Sequence, residues 1–454
     1  MCFRVKPGRQ NTAQPNLDFQ QAYIPRGTNV LQCIFKDHFE KFQEQYEDTF
    51  AKEYGNYRID RITAVVEEFI KCGDYKQGLA RIKCTNPECG HDYFVPLSCK
   101  GFYLCPSCHQ KRTLLFGEQM VQDVLLKLPH RQFVFTIPKC LRIFFKHDRL
   151  LFSDISNLIF DMIQSYYDEA ANIKKIDTGM ILSYQTSGDF ARWNPHWHAL
   201  LIEGGFDEEG KFVYLPISST RQMTELFRKL VIKHFQGKKL INDKFAQNLL
   251  SWKNSGFSID NSVMIYGNDD EAKEALAQYI ARCPISLEKI IYEPFHGKVF
   301  FKTPKYNEYF KENFKSFDAL DFIAEVTAHI PPKSKQYIRR YGLYSSRTRG
   351  IWERFDYIMK LAPSGWKEKH SQDNNPDTTL PNLNDSSPDD KKRKSAWARL
   401  VKKVYSVDPL ICPKCGCEMK IIAVIFDPDE IKRILSHLVK IGRASPTFDP
   451  ASLN

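Results

Sequence analysis

The chain has 454 residues, of which 43% are hydrophobic and 13% aromatic, a composition that can bury a core and excludes a disordered protein. Its formal net charge of +11 favours a polyanionic partner, because basic side chains that neutralise phosphates release counterions; charge alone equally fits a basic protein with no nucleic-acid role. No apolar run reaches the ~18 residues of a membrane span and the first residues lack a signal-peptide core, so we expect a cytoplasmic protein.

Shifts in composition along the chain predict its division into domains. Aromatic side chains recur every three or four residues near the start, which predicts helical core packing (Phe35, Phe39, Phe42, Tyr46, Phe50). We expect an N-terminal helical region (1–70), a zinc ribbon (71–114), a catalytic domain (115–310), a basic region (311–363), a flexible linker (364–396) and a C-terminal cysteine module (397–454).

Two close cysteine pairs stand early in the chain. Cys84-x4-Cys89 and Cys105-x2-Cys108 are separated by fifteen residues, a spacing typical of two knuckles that hold one structural Zn²⁺. The spacing therefore predicts that these four thiolates share one site. Four residues nearby are interpreted as bystanders: Cys72, Cys99, His91 and His109.

A third group of cysteines lies near the end of the chain. Cys412, Cys415 and Cys417 have no second cysteine pair close in sequence, and His437 is the nearby histidine. A half-ribbon closed by that histidine or by another chain is one interpretation, and reduced cysteines in a small domain are the other.

Strand-like and helical patterns alternate between about 115 and 310, which predicts an α+β fold. In the strand HWHALLIEGG, His196 and His198 lie on one face, because side chains alternate along a strand. Both faces of this strand are apolar, so we expect it to be central and covered by helices. Two imidazoles so placed can chelate one divalent ion, although a buried histidine often has only a structural role.

A helix is predicted over DDEAKEALAQYIARC, with acids at its start and Pro284 after its end. Its apolar residues at helical spacing include Tyr279, so we expect this side chain to point towards the sheet. The alternative is an ordinary core tyrosine.

Several ordered motifs resemble one known family. The segments SCKGFYLCPSCHQKR, HRQFVFTIPK, QTSGDFARWNPHWHALL, QYIARCPIS and RRYGLYSSRTRG are similar to the HUH-superfamily rolling-circle tyrosine transposases that carry an N-terminal zinc-binding domain. The likeness covers about residues 60 to 440. It implies an antiparallel-centred sheet flanked by helices, with an N-terminal zinc ribbon and a small C-terminal cysteine module.

The resemblance also assigns roles to individual residues. His196 and His198 match the family's metal-binding histidines and Tyr279 matches the second of its two tyrosines, while Ala275 stands where the first would fall. The chain therefore looks like a single-tyrosine variant that cuts and rejoins single-stranded DNA through a 5′-phosphotyrosine, with Mg²⁺ or Mn²⁺. We expect Gln185, or failing that Asp189, to be a third metal ligand.

The family also implies partners and competing functions. We expect single-stranded DNA at transposon ends and target, a homodimer during strand exchange, and a bacterial protein on the nucleoid when bound to DNA. Basic and aromatic residues suited to a single strand follow the catalytic domain (Tyr337, Arg339, Arg340, Tyr341, Tyr344, Arg347 and Arg349). A replication initiator or relaxase with the same chemistry, or a non-catalytic zinc-ribbon DNA-binding protein, are the alternatives.

Overall fold

The computed structural model describes residues 28–54, 59–101, 103–307, 312–372, 409–445, 448 and 450–453. These residues form two compact units. The large unit comprises Thr28–Cys72 and the described part of Ser98–Pro381, and the small unit joins Gly73–Leu97 to the described part of Asn382–Asn454. The small unit is therefore built from two segments that are far apart in the sequence.

Helices occur in both units, and those of the large unit are α1 (Val30–Gln45), α2 (Ala51–Tyr54), α3 (Ile59–Ile70), α4 (Pro106–Gln119), α5 (Lys139–Arg142), α6 (Phe144–His147), α7 (Leu151–Ala171), α8 (Arg221–Gly237), α9 (Asp243–Ser251), α10 (Asp270–Ile280), α11 (Ala319–Thr327), α12 (Ser346–Arg349), α13 (Asp356–Leu361) and α14 (Ser364–Gln372). The small unit contains α15 (Pro428–Lys440). None of the helices in the described ranges is long and apolar enough to cross a membrane.

The strands, in chain order, are β1 (Leu79–Cys84), β2 (Asp92–Pro96), β3 (His130–Thr136), β4 (Gly179–Ser187), β5 (Trp193–Ile202), β6 (Gly204–Phe206), β7 (Phe212–Tyr214), β8 (Ser258–Asp260), β9 (Met264–Ile265), β10 (Ile290–Glu293), β11 (Lys298–Asn307), β12 (Glu312–Asp318), β13 (Ile338–Gly342) and β14 (Met419–Ile425). Strands β1, β2 and β14 belong to the small unit and the others to the large unit.

The principal sheet of the large unit has six strands in the order β13-β4-β5-β3-β8, with β9 also pairing with β3. All of these pairings are antiparallel. Strand β5 is central, since β4 and β3 bond to its two edges. The predicted α+β fold with an antiparallel-centred sheet is thereby confirmed.

The two faces of β5 pack into two different cores. Trp197, Ala199 and Leu201 lie in one core, to which α7 and α8 also contribute. Leu200 and Ile202 lie in the other, together with apolar side chains of α10. Strand alternation explains this division, because successive side chains point to opposite faces. The histidine pair shares the face of Leu200 and Ile202, so it is turned towards α10.

Helix α10 begins where its acidic residues predict. The Asp269 side chain accepts a hydrogen bond from the Ala272 backbone N–H at 2.9 Å, which caps the first turn. Asp270 and Glu271 follow in that turn, where the helix dipole favours negative charge. The helix therefore starts at a defined residue and ends at Ile280, directly beneath the sheet.

The aromatic stripe of α1 is buried, as expected of core packing. Phe35, Phe39 and Phe42 lie in a third core, together with Val299 and Phe301 of β11. Strand β11 belongs to a separate three-stranded sheet in the order β10-β11-β12. Of the predicted N-terminal helical region (1–70), residues 1–27 lie outside the described part.

The small unit contains a three-stranded sheet in the order β14-β1-β2, together with α15. Its sheet pairs Cys84 of β1 with Met419 of β14. The predicted zinc ribbon (71–114) is therefore not one contiguous module, because its first half pairs with the C-terminal segment. Within the predicted linker (364–396), Ser364–Gln372 form α14 and the remaining residues lie outside the described part.

Candidate active site and metal centres

The two histidines of β5 lie side by side, with ring centroids 4.9 Å apart. In the β4–β5 ladder, Gln185 is opposite His196 and Ser183 is opposite His198. Directly opposed side chains project from the same face of a sheet, so these four side chains share one surface. The position of β5 at the centre of the sheet thus gathers polar groups beneath α10.

Hydrogen bonds orient both imidazoles. His196 Nδ1 lies 2.7 Å from the Asn194 carbonyl oxygen, which can only accept, so Nδ1 carries the proton and the Nε2 lone pair is available. His198 Nδ1 lies 3.0 Å from the Gln132 side-chain amide. His198 Nε2 is buried and has no hydrogen-bond partner among the described residues. The Nε2 lone pair of His196 is therefore available to a ligand, and that of His198 becomes available when the Gln132 amide is turned so that its oxygen accepts from Nδ1–H.

Both imidazoles are held in the neutral form. Burial lowers the pKa of His198 to about 3, helped by the neighbouring His196 and by the positive charge of Arg282. Burial likewise lowers the pKa of His196, partly opposed by its bond to Asn194. Since a neutral imidazole is the form that binds a metal ion, the pair suits a divalent cation at neutral pH.

The end of α10 is tied to the histidine face of the sheet. Ser183 Oγ donates to the Ile280 carbonyl oxygen at 2.9 Å, and Gln185 Nε2 donates to the same oxygen at 3.2 Å. Tyr279, one residue earlier, meets His198 edge to face, with ring centroids 5.5 Å apart and an interplanar angle of 88°. The guanidinium of Arg282 lies 4.5 Å from the Tyr279 ring centroid. The structure thus brings together the three residues expected to form the active site.

Tyr279 is more exposed than its helical spacing predicts. Its side chain is 41% exposed, and Ala275, one turn earlier, is also exposed. The buried face of α10 instead carries Lys273, Leu276, Ala277 and Ile280. Tyr279 therefore does not lie in the middle of the buried face, as its helical spacing predicts, but at the edge of the face of α10 that packs on the sheet. An edge position leaves the ring against His198 and its hydroxyl open to a substrate.

The expected third ligands are less well placed. Gln185 faces the site from β4, but its amide nitrogen already bonds to Ile280. Asp189 lies in a short turn (Asp189–Ala191) before β5. Within the described ranges, no group of three metal-ligating His, Cys, Asp or Glu side chains contains His196 or His198. Gln132, which contacts His198, was not among the expected site residues, and its only signal is a polar residue in the apolar strand HRQFVFT.

Four cysteines of the large unit converge on one point. The sulfur atoms of Cys72, Cys99, Cys105 and Cys108 all lie within 4.8 Å of one another. Cys105 is the N-cap of α4 and Cys108 lies in its first turn. Backbone N–H groups of Cys99 and Gly101 point to the sulfurs of Cys72 and Cys99, at 3.3 and 3.2 Å. We call this group the α4 cluster.

Four cysteines of the small unit form a second such group, with all sulfur atoms within 4.8 Å of one another: Cys84, Cys89, Cys412 and Cys415. Cys84 Sγ lies 3.5 Å from Cys415 Sγ, and Cys89 Sγ lies 3.7 Å from Cys412 Sγ. We call this group the ribbon cluster. Neither Cys417 nor His437 belongs to it.

The predicted zinc site that joined Cys84 and Cys89 to Cys105 and Cys108 is therefore wrong in its pairing. The chain leaves the small unit after β2 and enters the large unit, so the two pairs fold into different units. Cys72 and Cys99, interpreted as bystanders, complete the α4 cluster, whereas His109 bonds to the Ala281 carbonyl oxygen. Sequence spacing favoured the nearest pair, and tertiary contacts selected a distant one.

The basic stretch forms the edge strand β13 and the short helix α12. Arg339 donates to Ser153 and Arg340 to Gln119, while Tyr341 stacks on Phe160. Within the expected DNA-contacting set, Tyr344 is fully buried and bonds to His130, so it is no platform for a base. Tyr337 packs against Tyr184, Arg349 is half-buried and Arg347 is exposed.

Comparison with known proteins gives two family matches. Residues 34–137 match the model described as "Transposase zinc-binding domain", and residues 179–350 match the model described as "Putative transposase". The transposase for insertion sequence element IS801 of Pseudomonas savastanoi pv. phaseolicola is 23% identical over 382 residues, which cover 79% of this chain and 83% of that protein. The N-terminal nuclease domain of non-structural protein 1 of minute virus of mice is 12% identical and covers 67% of this chain and 100% of that chain, with a TM-score of 0.14, too low to indicate a shared fold.

The second match lies within the large unit, whereas the first also includes Gly73–Leu97 of the small unit. The first contains all four residues of the α4 cluster, and the second contains the histidine pair, α10 and α12. The protein is thus a transposase that carries a zinc-binding domain in its N-terminal half. In these ranges it is similar to transposases that have a zinc-binding domain.

Proposed function

We propose that this transposase nicks and rejoins single-stranded DNA through a covalent 5′-phosphotyrosine on Tyr279. The supporting observation is the edge-to-face approach of Tyr279 to His198, at 5.5 Å between ring centroids. A tyrosine that only packs in the core needs no such neighbour. The Tyr279 side chain is 41% exposed, so a strand of DNA can reach it. The buried, unpartnered Nε2 of His198 next to this ring is the feature that an ordinary packing role does not explain.

His196 and His198 would hold Mg²⁺ or Mn²⁺ through their Nε2 nitrogens, with Gln185 as the first candidate for a further ligand and Asp189 as the second. The residues fit such an ion, because both imidazoles are neutral and their Nδ1 atoms are engaged. When bound, the ion supplies Lewis-acid chemistry that offsets charge on a non-bridging phosphate oxygen. Gln132 would orient His198 by accepting from its Nδ1–H through the amide oxygen, since the amide can be turned about its axis.

The nucleophilic step belongs to Tyr279. Its hydroxyl oxygen forms a bond to phosphorus and the bond from phosphorus to the 3′ oxygen breaks; the phenolic proton passes to solvent, and the departing 3′ oxygen takes up a proton. Arg282, whose guanidinium lies over the ring, stabilises the negative charge that develops there. The phosphotyrosine retains a phosphodiester, so a second 3′-hydroxyl can reverse the step and join strands without a nucleotide cofactor.

Zinc and DNA are the other expected partners. The α4 cluster would hold a structural Zn²⁺, since four thiolates leave no open position for a substrate. Single-stranded DNA at the transposon ends and target would follow the basic edge formed by β13 and α12 (Arg339, Arg340, Tyr341, Arg347 and Arg349). With Ala275 in place of a second tyrosine, joining two ends would use two subunits or two successive turnovers. We expect this activity in a bacterial cytoplasm, on nucleoid DNA.

Replacement of Tyr279 tests the proposal directly. Tyr279→Phe removes the hydroxyl and keeps the ring, so we expect the protein to fold, to bind single-stranded oligonucleotides and to form no covalent adduct. The measurement is a denaturing gel after incubation with labelled oligonucleotides from the ends of the element, with and without Mn²⁺. Tyr266→Phe, on an exposed tyrosine outside α10, is the matched control and should form adduct at the wild-type level. An adduct that persists in Tyr279→Phe would assign the nucleophile elsewhere and overturn the proposal.

A further inference from the structure

The ribbon cluster joins parts of the chain that are hundreds of residues apart. Cys84 ends β1 and Cys89 lies in the turn before β2, whereas Cys412 and Cys415 precede β14. The separation between Cys84 and Cys415 is 331 residues, yet their sulfur atoms are 3.5 Å apart. The family match for the zinc-binding domain ends at residue 137 and does not include the second pair.

Backbone hydrogen bonds place these cysteines. Strand β1 pairs with β14 over its whole length, and the Thr85 N–H donates to the Glu418 carbonyl oxygen at 2.9 Å, just beyond Cys84. The Cys84 N–H donates to the His91 carbonyl oxygen at 2.8 Å, which closes the first turn. The Cys412 N–H donates to the Cys417 carbonyl oxygen at 2.8 Å, which closes the second. Two such knuckles facing each other form the usual ligand arrangement of a zinc ribbon.

The chemistry of the four sulfurs fits Zn²⁺. Four thiolates make a closed tetrahedral set with no position for water or a substrate. The backbone N–H of Cys417 donates to the Cys415 sulfur, and such a hydrogen bond favours the thiolate that a metal requires. Cys417 thereby supports a ligand without belonging to the cluster.

Among the residues of the small unit that the structure describes, few apolar side chains are buried. Its two apolar clusters contain few fully buried side chains, such as Leu79, Ile431 and Leu435 in one and Ile82 and Met419 in the other. Small modules of this kind commonly depend on a disulfide or a structural metal. A metal bound by the ribbon cluster would lie next to the smaller apolar group, which also includes Cys84 and Cys412.

We propose that Cys84, Cys89, Cys412 and Cys415 bind a second structural Zn²⁺, which fastens the C-terminal segment to β1 and β2. The site is separate from the α4 cluster and does not depend on the proposed nuclease mechanism. Its role is to close a unit whose two halves are encoded at distant positions in the chain.

Zinc content of the full-length protein, purified without chelator, tests this proposal. Cys412→Ser and Cys84→Ser should each lose one zinc ion per chain relative to wild type, and the double variant should lose no more than either alone, because both ligands serve one ion. Cys417→Ser is the matched control and should retain the wild-type content. Unchanged zinc in Cys412→Ser would overturn the proposal. So would fewer than 13 titratable thiols in the unreduced, denatured wild type, since that result would indicate a disulfide.

A second inference concerns α4, which connects the α4 cluster to the helix of Tyr279. His109 and Thr113 lie one turn apart on its buried face, and both bond to the Ala281 carbonyl oxygen at the end of α10, at 2.8 and 3.1 Å. A carbonyl oxygen can only accept, so His109 donates that bond through Nε2–H. The same face of α4 thus holds the end of α10 two residues after Tyr279.

One turn further along α4, Gly117 allows the two helices to approach closely. A Cβ atom at this position would lie 2.8 Å from Gln278 Cγ and 3.0 Å from Glu274 Cγ. Both of those residues are on α10, so the glycine sets the separation of the helices. Because Cys105 and Cys108 fix the start of α4, the cluster, α4 and α10 form one continuous connection.

We infer that Thr113 and Gly117 are positioning residues, which hold Tyr279 at His198 through the α4–α10 contact. The inference rests on the proposed role of Tyr279 as nucleophile. Thr113→Val keeps the shape of the side chain and removes its hydroxyl, whereas Thr113→Ser keeps the hydroxyl. Gly117→Ala adds the methyl group that would separate the helices.

Single-turnover adduct formation tests the inference, with oligonucleotide affinity and zinc content measured alongside. Thr113→Val and Gly117→Ala should slow adduct formation by about 10- to 100-fold, the effect of a small misplacement of a reacting group. Affinity and zinc content should stay unchanged, hydrogen exchange at 276–283 should accelerate, and Thr113→Ser should restore the rate. If Tyr279→Phe abolishes the adduct while Thr113→Val and Gly117→Ala react at the wild-type rate, only the positioning role fails. If Tyr279→Phe still forms an adduct, the proposed function fails first.

Discussion

Burial keeps several histidines of the large unit neutral, and this lowers the free energy of unfolding at low pH. Burial lowers the pKa of His130 and His198 to about 3, and that of His109 and His329 to about 4. An unfolded imidazole titrates near pH ~6.5, so the unfolded chain binds more protons than the folded chain below that pH. The stability that these neutral rings provide is complete above pH ~6.5 and is lost as the pH falls towards their folded pKa values.

His130 offers the clearest test, because it lies outside the proposed active site. Its ring donates through Nδ1 to the Leu128 carbonyl oxygen and accepts from the Tyr344 hydroxyl. His130→Gln should reduce the pH dependence of the free energy of unfolding by about 1.4 kcal/mol per pH unit between pH ~6 and ~4. Urea denaturation of the large unit at several pH values measures this slope. The exposed His296→Gln is the control, and equal slopes in all three proteins would contradict the argument.

At the scale of elements, β13 shows how strand alternation divides a basic stretch. Arg339 reaches Ser153 on α7, whereas its neighbour Arg340 reaches Gln119 at the end of α4. These two guanidiniums thus have protein partners on opposite sides of the edge strand. Arg347, in the first turns after β13, is exposed. A basic sequence therefore does not make every arginine equally available to DNA.

Arg347→Ala should weaken binding of single-stranded DNA and do so similarly for all sequences, because a contact to phosphate carries no base information. The slope of log affinity against log salt should fall by about 0.7 for each lost phosphate contact. Fluorescence anisotropy with labelled oligonucleotides at several salt concentrations measures both quantities. Arg221→Ala, on an exposed arginine at the start of α8, should leave the slope unchanged. A similar loss in both variants would indicate a general charge effect and not a DNA-contacting edge.

At the scale of the whole molecule, the order of elements along the chain and their order in space differ most in the small unit. Gly73–Leu97 interrupts the large unit and pairs with a segment from the end of the chain. The two parts of the large unit that flank this segment still contact each other, since Cys72 and Cys99 lie together in the α4 cluster. Cys72 and Cys99 thus mark the two points at which the inserted segment Gly73–Leu97 leaves the large unit and returns to it.

Local patterns were sufficient for much of the fold and for the position of the histidine pair on β5. The predicted strand HWHALLIEGG lies largely within β5 and the predicted helix DDEAKEALAQYIARC largely within α10, because apolar periodicity defines an element wherever it later packs. The placement of His196 and His198 on one face follows from the period of a strand alone. Their approach to Tyr279 agrees with the family resemblance. That resemblance predicted that the histidines and this tyrosine lie together, which periodicity alone did not.

Only the tertiary structure decided which distant groups meet. Sulfur atoms have no preference for the nearest pair in sequence, so the register of β1 with β14 determined that Cys84 and Cys89 face Cys412 and Cys415. The exposure of Tyr279 depended on where α10 ends against the sheet, which the helical period does not specify. Contacts between residues far apart are set by the packing of whole elements, and a local pattern contains no information about its partner.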